Sequence, residues 1–405
     1  MFVAIMGYGV VGSGVAALLK CNRETISRRA GKNETVDIKY ILDLREFPGD
    51  ENEKLIIHDF SIIENDPEVG IVVETMGGLH PAYEFVLACL KAGKSVATSN
   101  KELVAEKGCE LLRVAAENNV NFMFEASVGG GIPVIRPITR CLSANEIYEV
   151  AGILNGTTNF ILTKMFSENV SFESALAEAQ KLGYAEKDPS ADVDGIDALR
   201  KICILASLCF GNHVYPRGIH TEGIRNIKPE DVEYARQMDS VIKLIASASK
   251  DSSGKINILV SPAIIKNGGP MASTGGVFNA VLVRGNAVGD VVFYGRGAGD
   301  MPTASAVVAD IIDCALHSDV TKRFGWEDEI PGQVAPYSGF TAPFYVRAQG
   351  NREITEKVFG NAAEFISAGE SELVFRTQPM PVSELETKLG ETGCKILSVI
   401  RITDY

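Results

Sequence analysis

The chain is short of the residues and spacings that build metal and disulfide scaffolds. Its eight cysteines, at positions 21, 89, 109, 141, 203, 209, 314 and 394, include no Cys-x-x-Cys pair, and only Cys203 and Cys209 lie close together. In a chain of 405 residues that scatter excludes a disulfide framework and zinc-finger spacing, and it points to free thiols in a reducing compartment. A cysteine nucleophile has no supporting context, since the thiols mostly fall in apolar helical stretches and read as core. Histidine is scarce. His58, His80, His213, His220 and His317 are never paired at ligand spacing, which argues against transition-metal catalysis. Cations are outnumbered, 39 Lys and Arg against 52 Asp and Glu for a net charge of −13, so the electrostatic footprint of a nucleic-acid binder or a peripheral membrane protein is missing.

Long apolar runs are also missing. The longest uncharged stretch, Met1 to Leu19, is interrupted by Gly7, Gly9, Gly12 and Gly14 and lacks the basic start of a signal peptide. It reads as a strand, a glycine turn and a buried helix. No low-complexity tract or fixed-period repeat is visible. What remains is globular composition, 46% apolar and 22% charged, at a length that suggests two or three domains. The expectation is a cytoplasmic enzyme acting on a small molecule, with no nucleic-acid or membrane partner.

The first 125 residues alternate strand and helix. Phe2–Met6, Val36–Leu42, Gly70–Thr75, Ser95–Thr98 and Asn121–Phe124 are short β-type runs. Helical stretches follow the glycines to about Arg29, run from Pro81 to about Ala92, and span about Glu102 to Glu117. That order predicts an α/β fold with a doubly wound, Rossmann-type parallel sheet. After about residue 130 the texture changes. Strand-like runs at Ile147–Leu154, Ile256–Val260, Phe278–Val283 and Val291–Tyr294 alternate with helical stretches at Ser171–Leu182, Gly195–Phe210 and Pro229–Ser247, as in an α+β domain. Pro302–Leu316 reads as a helix that returns to the first domain. Residues 319–342, rich in Gly, Pro and charge, read as a linker. Residues 343–405 read strand, helix, strand, strand, helix, strand, the order of a ferredoxin-like module. The boundaries expected are 1–130 with about 300–318 for the dinucleotide-binding domain, 131–299 for a substrate-binding and dimerisation domain, and 343–405 for the module.

Gly7-Tyr8-Gly9-Val10-Val11-Gly12 fits G-x-G-x-x-G between a strand and a helix. The first glycine allows the tight turn, the second lets a pyrophosphate approach the backbone, and the third lets helix and strand pack closely. The helix N-terminus then offers N–H groups and partial positive charge to the phosphates. The second strand ends at Asp43, where an acid would bind the ribose hydroxyls of NAD, while Arg45 would meet the 2′-phosphate of NADP. The two point to opposite cofactors, and a reading of both as solvated loop charges stays open.

Residues 179–201 read AQKLGYAEKDPSADVDGIDALRK. Ala179, Gly183, Tyr184, Asp188-Pro189, Asp192-Val193, Gly195, Asp197 and Lys201 resemble the signature of the homoserine dehydrogenase family position by position. Ser99-Asn100-Lys101, the EASVGGGIP run from Glu125 to Pro133, the GILNGTTN run from Gly152 to Asn159, and Gly297-Ala298-Gly299 with Pro302-Thr303-Ala304-Ser305-Ala306 resemble further motifs of that family, so the likeness covers residues 1–317. It implies NAD(P)-dependent interconversion of L-homoserine and L-aspartate 4-semialdehyde, a step of threonine and methionine biosynthesis. The alternatives are another amino-acid-pathway NAD(P) oxidoreductase, or a nucleotide-sensing regulator that has lost catalysis.

Hydride transfer to an aldehyde leaves an alkoxide that needs a proton, and a lysine can supply one when burial lowers its pKa. Asp197 and Lys201 share a helix face at i, i+4 spacing. On a surface that pair would be worth only about 0.3–0.5 kcal/mol, but the apolar run Ile202–Phe210 that follows suggests a buried helix. The resemblance implies that Lys201 donates the proton and that Glu186 and Asp197 hold the substrate. Gly183 of the same signature joins both the expected substrate contacts and the expected cofactor contacts, and Asp192 is a further partner for the substrate ammonium, or else, like Asp194, a solvated turn residue. Lys101 falls just past a strand end, where it would polarise substrate or cofactor, or be a plain surface lysine at a helix start. Gly299, with Val10 and Val11 of the turn, joins the expected cofactor contacts. The resemblance also implies a structural sodium ion on Glu125 and the carbonyls of Val128, Gly130 and Ile132. The tail occupies the place of the family's ACT domain, yet Arg347-Ala348-Gln349-Gly350-Asn351-Arg352 lacks the D-x-P-G turn through which such domains bind amino acids. Its role would then be assembly by sheet pairing, as a homodimer or homotetramer.

Overall fold

The computed structural model describes residues 1–31, 35–368 and 372–405. The chain divides into two compact units: 1–146 with 203–216 and 295–330, and 147–202 with 217–294 and 331–405. Among the described residues no helix is long and apolar enough to cross a membrane.

The first unit is built on β1 (Phe2–Met6), β2 (Asp37–Leu42), β3 (Ile56–Ile57), β4 (Val69–Glu74), β5 (Ser95–Thr98) and β6 (Phe122–Met123). They form one sheet in the order β3-β2-β1-β4-β5-β6, all pairs parallel. This is the doubly wound order, with its reversal between β1 and β4. Val3 to Met6 and Ile71 to Val73 are sealed from solvent, because helices cover both faces, which is why these strands read as unbroken apolar runs. The helix Val10–Cys21 follows the glycine turn. The helix Asp300–Leu316 packs on it so closely that a β-carbon at Gly14 would stand 3.2 Å from that of Ala304. The expected return of the 302–316 helix is therefore observed.

The second unit holds β7 (Ile147–Ile153), β8 (His220–Thr221), β9 (Ser240–Lys250), β10 (Ile256–Lys266), β11 (Phe278–Gly285), β12 (Gly289–Arg296), β13 (Thr341–Ala342), β14 (Phe344–Gln349), β15 (Ala363–Ala368), β16 (Leu373–Thr377), β17 (Met380–Pro381) and β18 (Lys395–Thr403). One sheet runs β12-β11-β7-β9-β10-β18-β14-β16-β15, with β8 beside β10 and β13 and β17 paired separately.

Three expectations are corrected. Pro229–Ser247 is not one helix: the helix stops at Gln237, Asp239 turns the chain at φ +50°, and β9 begins at Ser240. Its run is buried on both faces, and periodicity cannot distinguish such a strand from a buried helix. Residues 319–342 are not a free linker. Within the first unit Trp326 is buried, its Nε1 donating to His213 Nδ1 at 3.0 Å, and a β-carbon at Gly108 would lie 2.9 Å from its ring. Within the second unit Ile256 exchanges hydrogen bonds with Gln333 and Ala335. The tail is not a separate module. Its order β18-β14-β16-β15, with helices Arg352–Phe359 and Val382–Thr392, is ferredoxin-like as read, but β18 pairs in parallel with β10 through Ala263–Arg401 and Ile264–Ile402. Buried side chains lock the seam. Arg401 donates to Ser261 Oγ, Ser247 Oγ and the Ile245 carbonyl, and Arg347 Nε donates to Asp231 at 2.8 Å. All eight cysteines are unbridged.

Candidate active site

In the first unit the glycine turn closes one end of a cavity of about 570 Å³ at the carboxyl ends of β1, β2 and β4, lined among others by Gly7, Gly9, Asp43, Arg45, Thr75 and Met76. Gly7 has φ +93°, a conformation that favours glycine. A β-carbon at Gly12 would stand 2.0 Å from the Gly7 carbonyl oxygen, whereas nothing approaches within 4 Å of one at Gly9. The turn is thus packed where helix meets strand and open where a pyrophosphate would lie, at the start of the Val10–Val11 helix turn. These residues fit a dinucleotide.

Asp43 is held from three sides. Its carboxylate accepts the Tyr8 amide at 2.7 Å, the Arg45 amide at 3.0 Å, and the Arg45 fork through Nε and Nη2, both at 2.9 Å. The Arg45 guanidinium holds this carboxyl well below the usual carboxylate range. The Asp43 side chain is 8% exposed and that of Arg45 61%.

Glu74, which sequence reasoning missed, ends β4 fully buried. It accepts from Thr98 Oγ1 at 2.5 Å and from the Met76 and Gly77 amides at 2.8 and 3.2 Å. Burial pushes its carboxyl up. It fixes the loop that forms the cavity wall. Asn100 caps the next helix by accepting the Leu103 amide, which sets Lys101 at the first position of the helix Lys101–Glu117, three residues past the end of β5. Gly299, at φ +122°, precedes the helix that packs on the turn's own helix.

The loop from Glu125 to Pro133 is tight. Gly130 has φ +55°, and a β-carbon there would stand 2.3 Å from the Gly297 carbonyl oxygen. The Glu125 carboxylate accepts three backbone amides, those of Val134 at 2.6 Å, Ile135 at 2.8 Å and Arg136 at 2.9 Å. Three amides leave the carboxylate further acceptor capacity, and the Val128, Gly130 and Ile132 carbonyls expected to join it around a sodium ion lie on the same loop. No group of three acidic, histidine or cysteine side chains suited to a metal occurs among the described residues.

The second unit gathers the acid–lysine cluster. Lys201 Nζ donates to Asp197 Oδ2 at 2.7 Å and to the Leu154 carbonyl at 2.8 Å. Both side chains are buried, 9% and 5% exposed, so the helical pair is not a surface one. Asn155 Nδ2 bridges Asp192 Oδ1 at 2.7 Å and Asp197 Oδ2 at 2.9 Å, while its Oδ1 caps the helix Gly156–Glu168 by accepting the Thr158 amide. Burial, with Asp197 next to it, pushes the Asp192 carboxyl up, so Asp192 is part of the cluster and not a solvated turn acid. Asp194 instead pairs at the surface with Arg225. Asn155 was not singled out from sequence, although the N-G-T-T pattern after a strand is a capping signal that could have found it. Gly183, at φ +76°, and Glu186 lie on the exposed loop 182–188. The Glu186 carbonyl accepts Gln180 Nε2, but its carboxylate forms no hydrogen bond or ion pair among the described residues, so it is not drawn into the cluster.

Comparison with known proteins shows the family. Residues 7–125 match the family model described as homoserine dehydrogenase, NAD binding domain, and residues 133–312 match that of homoserine dehydrogenase. The chain is 44% identical to homoserine dehydrogenase of Pseudomonas aeruginosa over 324 residues, 79% of this chain and 74% of that one. It is 43% identical to that of Synechocystis over 317 residues, 77% and 72%. The crystal structure of a homoserine dehydrogenase from Thiobacillus denitrificans superposes with a TM-score of 0.92 at 33% identity, covering 100% of this chain and 98% of that one. A hyperthermophilic archaeal homoserine dehydrogenase in complex with NADPH superposes with a TM-score of 0.66 at 30% identity, covering 78% and 97%. With a glycine turn shaped for a dinucleotide and a buried lysine–carboxylate pair, the chain belongs to the homoserine dehydrogenase family of nicotinamide-dependent oxidoreductases.

Proposed function

We propose that Lys201 moves the proton in the interconversion of L-homoserine and L-aspartate 4-semialdehyde, and that Asp197 and Asn155 hold it in place. A nicotinamide dinucleotide held at the glycine turn would supply or accept the hydride at the substrate carbon that bears the oxygen. In the reducing direction Lys201 gives a proton to that oxygen as negative charge develops on it; in the oxidising direction the neutral amine takes the proton from the hydroxyl. Asp197 orients the ammonium, and the Leu154 carbonyl fixes a second N–H. Asp192 and Glu186 supply negative charge for the substrate ammonium, Glu186 from its exposed loop. Lys101 is a second cation for polarising substrate or cofactor. The single observation that supports this reading most is the burial of the Lys201–Asp197 pair. Burying an ion pair costs desolvation energy even when, as here, hydrogen bonds from Asn155 and to Leu154 support it, and proton transfer accounts for its retention.

For the cofactor we propose NADP(H). The Asp43 carboxylate is engaged by Tyr8 and Arg45 and has little left for ribose hydroxyls, while Arg45 keeps an exposed guanidinium suited to a 2′-phosphate. Self-association, as a dimer or tetramer, has its candidate in the exposed edge strands β12 and β15. Initial rates with aspartate semialdehyde and NADH or NADPH side by side test the reading. Faster turnover with NADPH at limiting cofactor is expected. Preference for NADH overturns the cofactor assignment, and turnover of other hydroxy amino acids ahead of homoserine overturns the substrate.

A further inference from the structure

The first unit has a second cavity, of about 580 Å³, that shares no lining residue with the dinucleotide cavity. Its charged walls are Arg136 and Arg140 from the segment after the glycine loop, Asp313 and His317 from the end of the helix Asp300–Leu316, and Lys322 and Arg323 from the strap beyond it. Four permanent cations thus face one carboxylate, in a chain whose net charge is −13.

The local acids do not balance them. Asp313 is shared by three groups: Lys322, which contacts it directly, His317 Nδ1 at 3.1 Å, and Arg136 Nε at 3.4 Å. Arg136 also pairs with the buried Asp310, yet its Nε, though buried, makes no hydrogen bond. Asp313 and the carbonyl end of the helix account for His317 and Lys322. They do not account for Arg140 and Arg323, which are exposed and form no ion pair among the described residues.

We infer that this cavity binds a small phosphorylated compound, with the Arg140 and Arg323 guanidinium groups contacting the phosphate and Arg136 and Lys322 behind them. Guanidinium forks match phosphate oxygens two at a time, and the volume lies within the roughly 300–1,000 Å³ of small-molecule sites. A compact dianion matches the surplus of these four cations over Asp310 and Asp313; a neutral ligand leaves it uncompensated.

The test uses the full chain saturated with its nicotinamide dinucleotide, so that the glycine turn is occupied, titrated calorimetrically with inorganic pyrophosphate. Binding tighter than about 1 mM is expected. The double variant Arg140→Ala/Arg323→Ala, which alters only exposed side chains, should bind at least about tenfold more weakly with its basal turnover unchanged. A citrate titration separates phosphate from carboxylate recognition, with pyrophosphate expected to bind more tightly. Absence of binding at about 10 mM, equal affinity in the double variant, or tighter binding of citrate overturns the assignment.

Discussion

Lys201 Nζ stands 2.7 Å from Asp197 Oδ2, one helical turn earlier, with both side chains buried. A single carboxylate oxygen therefore serves both the ammonium and the Asn155 amide at 2.9 Å. The strand end, the following helix cap and the catalytic helix are tied at one atom, so a change in any of the three displaces the lysine.

Asn155→Ala removes both the cap and the bridge. The lost cap alone is expected to cost about 1 kcal/mol of stability, read in denaturant unfolding. Freed from their shared donor, Asp192 and Asp197 should also mis-set the lysine. Turnover should fall by more than the stability loss explains, with cofactor affinity unchanged. Asn155→Asp, which keeps the cap oxygen but adds a third carboxylate, should regain the cap but not the turnover.

Arg45→Ala probes cofactor choice. Removing a charge-assisted fork should raise the KM for NADPH by about tenfold or more while freeing Asp43 for ribose hydroxyls. The NADPH to NADH ratio of kcat/KM should then move toward NADH. An unchanged ratio would remove Arg45 from the cofactor's environment.

Lys243 gives a pH signature. It is buried on β9, donating to Asn159 Oδ1 at 3.0 Å and to the Thr274 carbonyl at 2.6 Å, and burial pulls its pKa down to about 8 from 10.5. A folded pKa below the unfolded one means that the unfolded chain binds more protons between the two values. Stability from this group is thus present above pH 10.5, falls as pH drops toward about 8, and is flat below that. The pH slope of the unfolding free energy across this window should be more positive in the wild type than in Lys243→Met, the difference between the two being the Lys243 contribution.

Trp326 tests the strap. Its ring packs on Gly108 and its Nε1 meets His213, so Trp326→Ala should cost about 3–5 kcal/mol by thermal or denaturant unfolding. A true linker would lose almost nothing.

Much of this was legible in the sequence because it was written in local chemistry. The glycine turn declares itself by spacing, and β1 and β4 by short apolar runs between glycines. Asp197 and Lys201 show their shared helix face by an interval of four. What stayed hidden was tertiary. β9 reads as helix because burial on both faces erases alternation. Trp326 sits in a Gly- and Pro-rich stretch whose composition reports irregular backbone, not whether it packs. The fusion of β18 to β10 rests on a parallel pairing that no local pattern encodes. Glu125 stood out in its glycine-rich run, but the three backbone amides its carboxylate accepts are contacts that no local pattern encodes.

The proton-transfer role of Lys201 is tested most directly by Lys201→Ala, measuring steady-state turnover and, by fluorescence titration on the same preparation, nucleotide affinity. General acid–base removal should lower kcat by about 10²–10⁴-fold while the dinucleotide Kd stays within a few-fold of wild type. Turnover within a few-fold of wild type, with the fold intact, would contradict the account.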